Sequence, residues 1–149
     1  MITKGPLLET AVFCETVIES NDGTLSLIRI IDRITVAASG PDAPAEMPPV
    51  TQQLTVVLTL KSGSAQGRVD ISLVMEKPNA DTETLWSGSM LAEAPDRGQN
   101  FVLRFPVTFA LEGLYWFHVY VEEEQLLTSM PLRLLYVRQV AGAGRSRKS

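Results

Sequence analysis

Between Gly113 and Val121 the chain reads Gly-Leu-Tyr-Trp-Phe-His-Val-Tyr-Val, and its side chains keep a strict period of two. Tyr115, Phe117, Val119 and Val121 share one face, while Trp116, His118 and Tyr120 share the other. A helix, at about 3.6 residues per turn, would scatter both sets, so the segment is a strand. An acidic turn follows, and then a second apolar run from Leu126 to Val137. Together they form a long antiparallel hairpin.

The same period recurs upstream. Leu54, Val56, Leu58 and Leu60 alternate with Thr55, Val57, Thr59 and Lys61; Val69, Ile71, Leu73 and Met75 alternate with Asp70, Ser72, Val74 and Glu76. Phe101, Leu103, Phe105 and Val107 form another such set, and a weaker strand spans about 83–91. Asn21-Asp22-Gly23 is a hairpin signal separating residues 8–19 from 25–36. Ser62-Gly63-Ser64, Pro78-Asn79 and Pro95-Asp96-Arg97-Gly98 mark later reversals. Pro41, Pro44, Pro48 and Pro49 are too dense for a strand and make 40–49 a loop crossing between sheets. The expected fold is all-β, an antiparallel sandwich of about eight strands, immunoglobulin-like or jelly-roll in topology.

Within Leu25–Ile34 the apolar set changes parity, which predicts a β-bulge near Ile28 or Arg29, or burial on both faces. Pro106 and Pro131 cannot donate to a ladder and belong at edges, bulges or strand starts. Gly113 opens its strand with a backbone turn that glycine makes cheaply.

The chain has 149 residues and a formal net charge of −4, within the range of one domain with a real core. The charge is uneven. Arg138, Arg145, Arg147 and Lys148 give residues 138–149 four positive charges and no acid, leaving −8 on residues 1–137. The expected division is a sandwich domain over 1–137 and a flexible basic tail over 138–149. An acidic body repels phosphate backbones, so no nucleic acid is expected on the domain itself. Cys14 is the single cysteine, which fits a reducing compartment. No apolar run approaches a signal core or a membrane span, so a cytoplasmic protein without a membrane association is expected.

Most catalytic constellations cannot be built. One His and one Cys do not make a common Cys/His zinc site, and no phosphate-cradling glycine loop is present. No cofactor, metal or catalytic residue is expected, and the domain is read as non-enzymatic. His118 could act as a general base, but a mid-strand position reads more simply as a solvated surface residue. Cys14 reads as a small buried hydrophobe, since the following Glu15 disfavours a thiolate. Glu122-Glu123-Glu124 reads as a solvated hairpin tip, because the spaced ligands of a calcium loop are absent.

That leaves Trp116, His118 and Tyr120 as the candidate interaction surface, with a protein partner or self-association as the expected use. Cover by another strand, by the proline loop or by a dimer mate is the plainer explanation. A small-ligand or carbohydrate-binding module stacking its ligand on Trp86, Trp116 or Tyr120 is the alternative. A hydrolase around His118 or an acidic pair is the third.

The stretch Ala11-Val12-Phe13-Cys14-Glu15, the run Gly23-Thr24-Leu25-Ser26-Leu27-Ile28-Arg29-Ile30-Ile31-Asp32-Arg33-Ile34, and the Gly113-x-Tyr115-x-Phe117 hairpin with Pro131-Leu132 carry a resemblance. Over about residues 8–137 the chain resembles a bacterial family known only as a domain of unknown function. The resemblance implies an all-β sandwich and brings no catalytic residues. One departure lies at the hairpin tip, where similar chains carry Asp-Gly and this one has Glu123-Glu124, which argues against a tight two-residue turn.

Overall fold

The computed structural model describes residues 5–139, and there is no helix among them. Nine strands follow one another: β1 (Leu7–Glu19), β2 (Leu25–Ile31), β3 (Arg33–Ser39), β4 (Val50–Lys61), β5 (Gly67–Glu76), β6 (Thr82–Ala92), β7 (Gly98–Phe109), β8 (Gly113–Val121) and β9 (Gln125–Gln139). They form a four-stranded sheet in the order β2-β1-β4-β7 and a five-stranded sheet in the order β3-β9-β8-β5-β6. All neighbours are antiparallel except β3 and β9, which run parallel. Of the expected tail, Arg138 and Gln139 are in β9 and 140–149 lies outside the described residues.

The extra strand arises where one was expected over 25–36. Asp32 interrupts it: β2 stays beside β1, and β3 crosses to the other sheet beside β9. The parity change within this stretch has neither of its expected causes. β1 and β2 pair without a register shift, and Ile28 and Ile30 are simply exposed, at 47% and 60%. The strain that does occur is at Arg29, whose φ of 62° is in the left-handed region. The proline-rich loop 40–49 crosses from the five-stranded to the four-stranded sheet, as its composition predicts.

The first hairpin turns through Ser20–Thr24. The Ser20 carbonyl accepts the Gly23 N–H at 2.9 Å, and Asp22 Oδ1 accepts the Thr24 hydroxyl at 2.7 Å. Those Thr24 hydrogen bonds hold the Asp22 carboxyl below the usual carboxylate range. A depressed carboxyl favours the folded state above the acid range, and this contribution is lost as pH falls through it.

The inward residues of both sheets fill one core. Leu54, Val56, Leu58, Leu73, Phe117, Val119, Leu132 and Leu134 are each at most 1% exposed. Phe13 of one sheet meets Phe117 of the other edge to face, ring centres 4.9 Å apart. Burying one such side chain is worth roughly 2–3 kcal/mol. Pro106 lies in β7, an edge strand. Pro131 lies in the half of β9 that β3, which joins from Arg133, does not reach.

Where the chain climbs from β7 into β8, Tyr115 ties the corner. Its hydroxyl donates to the Leu111 carbonyl at 2.7 Å and accepts the Leu111 N–H at 3.2 Å. The ring also packs edge to face on Phe109 at 4.9 Å. Gly113 stands inside this corner at φ 132°, with Pro78 close to where a Cβ would project. Replacing Tyr115 with Phe keeps the ring and strands both Leu111 groups. We expect a loss of about 1–2 kcal/mol in urea unfolding with an unchanged m value.

Candidate functional site

β8 is the middle strand of the five-stranded sheet, so its outward side chains are flanked on both sides. Strand pairing sets them in rows that cross the sheet. One row is Ser87, Ser72 and Tyr120; the next is Thr84, Val74, His118 and Ser129; the third is Thr82, Glu76, Trp116 and Pro131. Neighbours within a row stand about 5 Å apart. Trp116, His118 and Tyr120 therefore do share one outer face, as the alternation predicts, and all three are half-buried in it.

His118 is the most constrained of the three. Its Nδ1 lies 2.7 Å from Ser129 Oγ, and its Nε2 lies 2.9 Å from Glu76 Oε1. A carboxylate only accepts, so in the neutral ring Nε2–H donates to Glu76 and Nδ1 accepts the Ser129 hydroxyl. The three groups form a continuous Glu–His–Ser chain across β5, β8 and β9. In that tautomer the ring can accept the Ser129 proton while Glu76 stabilises the resulting imidazolium.

Ser129 and Glu76 do not announce themselves in the sequence. Val121 pairs with Gln125 across the tip, and simple continuation would place Thr128 opposite His118. A register shift between Val119 and Tyr120 brings Ser129 there instead. Glu76 reaches His118 diagonally, from the position opposite Trp116. The β5–β8 register joins segments some forty residues apart, which local pattern does not reveal.

Other candidates are displaced. Trp86 sits opposite Leu73, on the core side, with its ring 5.0 Å from that of Phe101 and directly over Gly88. It is no platform for a ligand. Cys14 is 3% exposed, and burial pushes its thiol up despite the nearby Arg104 charge. Glu122, Glu123 and Glu124 form a three-residue turn with positive φ at Glu122 and Glu123, not a two-residue one. Among the described residues no group of three or more His, Cys, Asp or Glu is placed to hold a metal ion. No helix among them is long and apolar enough to cross a membrane.

Two adjoining clefts open on this face, both lined by Ser72, Ser87 and Glu123, and the first also by Tyr120. One of about 240 Å³ is lined by Ser72, Val74, Thr84, Ser87, Tyr120 and Glu123. The other, about 270 Å³, extends past Ser72 and Ser87 towards Arg68, Asp70 and Ser89 and again reaches Glu123. A third, of about 210 Å³, lies between β1, β2 and β9 and touches Ser129.

The comparisons with known proteins add little chemistry. A family model described as "Family of unknown function (DUF6941)" matches residues 9–135. A search of curated proteins finds no match. Among solved structures, the Pseudomonas fluorescens alkylpurine DNA glycosylase AlkC, bound to DNA containing an abasic site analogue, is similar at 15% identity and a TM-score of 0.40. The similarity covers 66% of this chain and 27% of that one, so this chain spans about a quarter of the glycosylase. A likeness that slight carries no functional argument.

The expectation of a protein partner or self-association is corrected here: none of the similarities found brings a protein partner. The outer face itself is not the open apolar patch that the expectation required: its aromatic side chains are half-buried, and both His118 nitrogens are engaged within the sheet.

Two measurements check this geometry. His118→Ala leaves Glu76 and Ser129 without their shared partner and should cost about 1–2 kcal/mol in thermal or urea unfolding. Native Cys14 should react with a thiol reagent at mildly alkaline pH at least about a hundredfold more slowly than in urea, because reaction waits on opening of the strand.

Proposed function

The chain belongs to the DUF6941 family of unknown function, and on that premise we propose that it is a module that binds a small polar ligand, of carbohydrate type, on the outer face of its five-stranded sheet. One observation carries the reading: two adjoining clefts that share Ser72, Ser87 and Glu123, one of them reaching Tyr120, lined mostly by hydroxyl-bearing and charged side chains. Such a surface offers a ring face for stacking and donors and acceptors for hydroxyl groups. It lies on a rigid sheet, which pre-organises it. Trp116 and His118 extend the same face by two further rows.

The architecture supports the reading. β1-β4-β7 facing β9-β8-β5-β6, with a tyrosine corner at the foot of β8, favours an immunoglobulin-like sandwich. The single Cys14 favours a reducing compartment, the cytoplasm.

A second reading, a hydrolase, is favoured by the Glu76–His118–Ser129 chain and by the cleft that touches Ser129. Here Ser129 is the nucleophile and His118 its base. A fluorophosphonate probe should then label the wild type and leave Ser129→Ala unlabelled; an unlabelled wild type that also spares activated esters removes this reading.

For the binding reading the check is titration of the protein with a panel of mono- and oligosaccharides by calorimetry. At least one sugar should bind saturably, and Tyr120→Ala should weaken it at least about tenfold, or about 1.4 kcal/mol. A flat response to the whole panel sinks the proposal.

A further inference from the structure

Ser72 stands out among the buried polar side chains. It is 8% exposed, yet its hydroxyl has no hydrogen-bond partner among the described residues. Ser62, equally a buried serine, shows the ordinary solution: its Oγ donates to the Arg97 carbonyl at 2.8 Å. A buried hydroxyl without a partner lowers stability. Ser72 is also not enclosed in the core. It lies on the outer face and lines both adjoining clefts, the one that reaches Tyr120 and the one that runs towards Arg68, so the orphan hydroxyl borders the space a ligand would occupy.

The surrounding chemistry narrows the ligand. Ser87 and Tyr120 flank Ser72 in its own row, giving three hydroxyl-bearing side chains in line across three strands. Glu123 borders both clefts from the hairpin tip. The neighbouring charges are already engaged: Arg68 Nε lies 3.2 Å from Asp70 Oδ1, and Glu122 Oε2 accepts the Asp70 N–H at 3.3 Å. Carboxylates outnumber the single guanidinium around the clefts, which repels a phosphate or carboxylate ligand. One free carboxylate is too few for a hard divalent cation, which takes six or more oxygens. A carboxylate beside an aromatic ring and a line of hydroxyls instead suits adjacent hydroxyl groups on a ring with an apolar face.

From this juxtaposition we infer that Ser72 is the floor of a subsite for an uncharged hydroxyl-rich ring, a pyranose or cyclic polyol, whose hydroxyls bond Ser72 and Glu123 while Tyr120 packs on its face. The inference rests on the ligand-binding reading above and gives it a place and a chemical class. The location differs from the Glu76–His118–Ser129 chain, where the polar groups already satisfy one another.

The test is amide-resolved NMR of the full chain with glucose, galactose, mannose and myo-inositol at up to tens of millimolar. Binding should shift the amides around Ser72, Ser87, Tyr120 and Glu123. Ser72→Ala should fold with equal or higher thermal stability, because it removes an unpartnered hydroxyl, and should bind about tenfold more weakly. Glu123→Gln, at an exposed turn, gives a second variant with the same expected loss. If a sugar binds but shifts only Trp116, His118 and Ser129, with Ser72→Ala unaffected, the subsite is overturned and the module reading stands. If no member of the panel shifts any amide, both are overturned.

Discussion

Burial of one face of β8 governs what the opposite face can do. Tyr115, Phe117, Val119 and Val121 are at most 5% exposed, and Phe117 meets Phe13 across the sandwich. Side chains alternate with a period of two, so a slip of one residue would exchange the two faces entirely. It would drive His118 into the core and expose four large apolar groups. The core therefore sets the register, and the register decides that His118 faces Ser129 and that Tyr120 faces Ser72.

The outer face held by that register has two parts with different physical character. Around His118 the polar groups are matched: each ring nitrogen has a partner at hydrogen-bond distance. In the adjacent row, Ser72 is largely buried and has no hydrogen-bond partner among the described residues. A closed network adds rigidity and costs little to maintain, whereas an unpaired buried hydroxyl lowers stability unless something else completes it. The contrast separates the part of the face that organises the sheet from the part that has unused hydrogen-bonding capacity.

Much of this architecture is visible in the chain itself. The alternations at 54–61, 69–76, 101–107 and 115–121 are all strands, and the expected inward set of β8 is the buried one. The sheet-crossing proline loop and the three-residue acidic tip also follow from local composition. The failures are non-local. One expected strand over 25–36 divides at Asp32 because its halves find partners in different sheets. Trp86 looks like an exposed platform until a register shift in its pairing with β5 and the open space over Gly88 place its ring against the core. Ser72 reads as an ordinary polar residue on a half-solvated strand; only the neighbouring strands, which cover it, reveal its burial. The candidate surface was thus legible as a face, but its polar partners depend on pairings that no short stretch encodes.

The division at Asp32 also bears on the order in which the molecule is assembled. β1–β2, β5–β6 and β8–β9 are local hairpins, but the parallel pairing of β3 with β9 joins Arg33 to Arg133. Contacts across such a span belong to slow-folding topologies, on a scale of about milliseconds to seconds. The rows that contain Ser72 and His118 draw on β5, β6, β8 and the first half of β9, all within one continuous stretch of chain. That stretch can pair before β3 returns from the far end of the sequence. The outer face is thus built from the part of the sheet with the shorter sequence separations, and the strand with the longest closes the edge beyond Arg133.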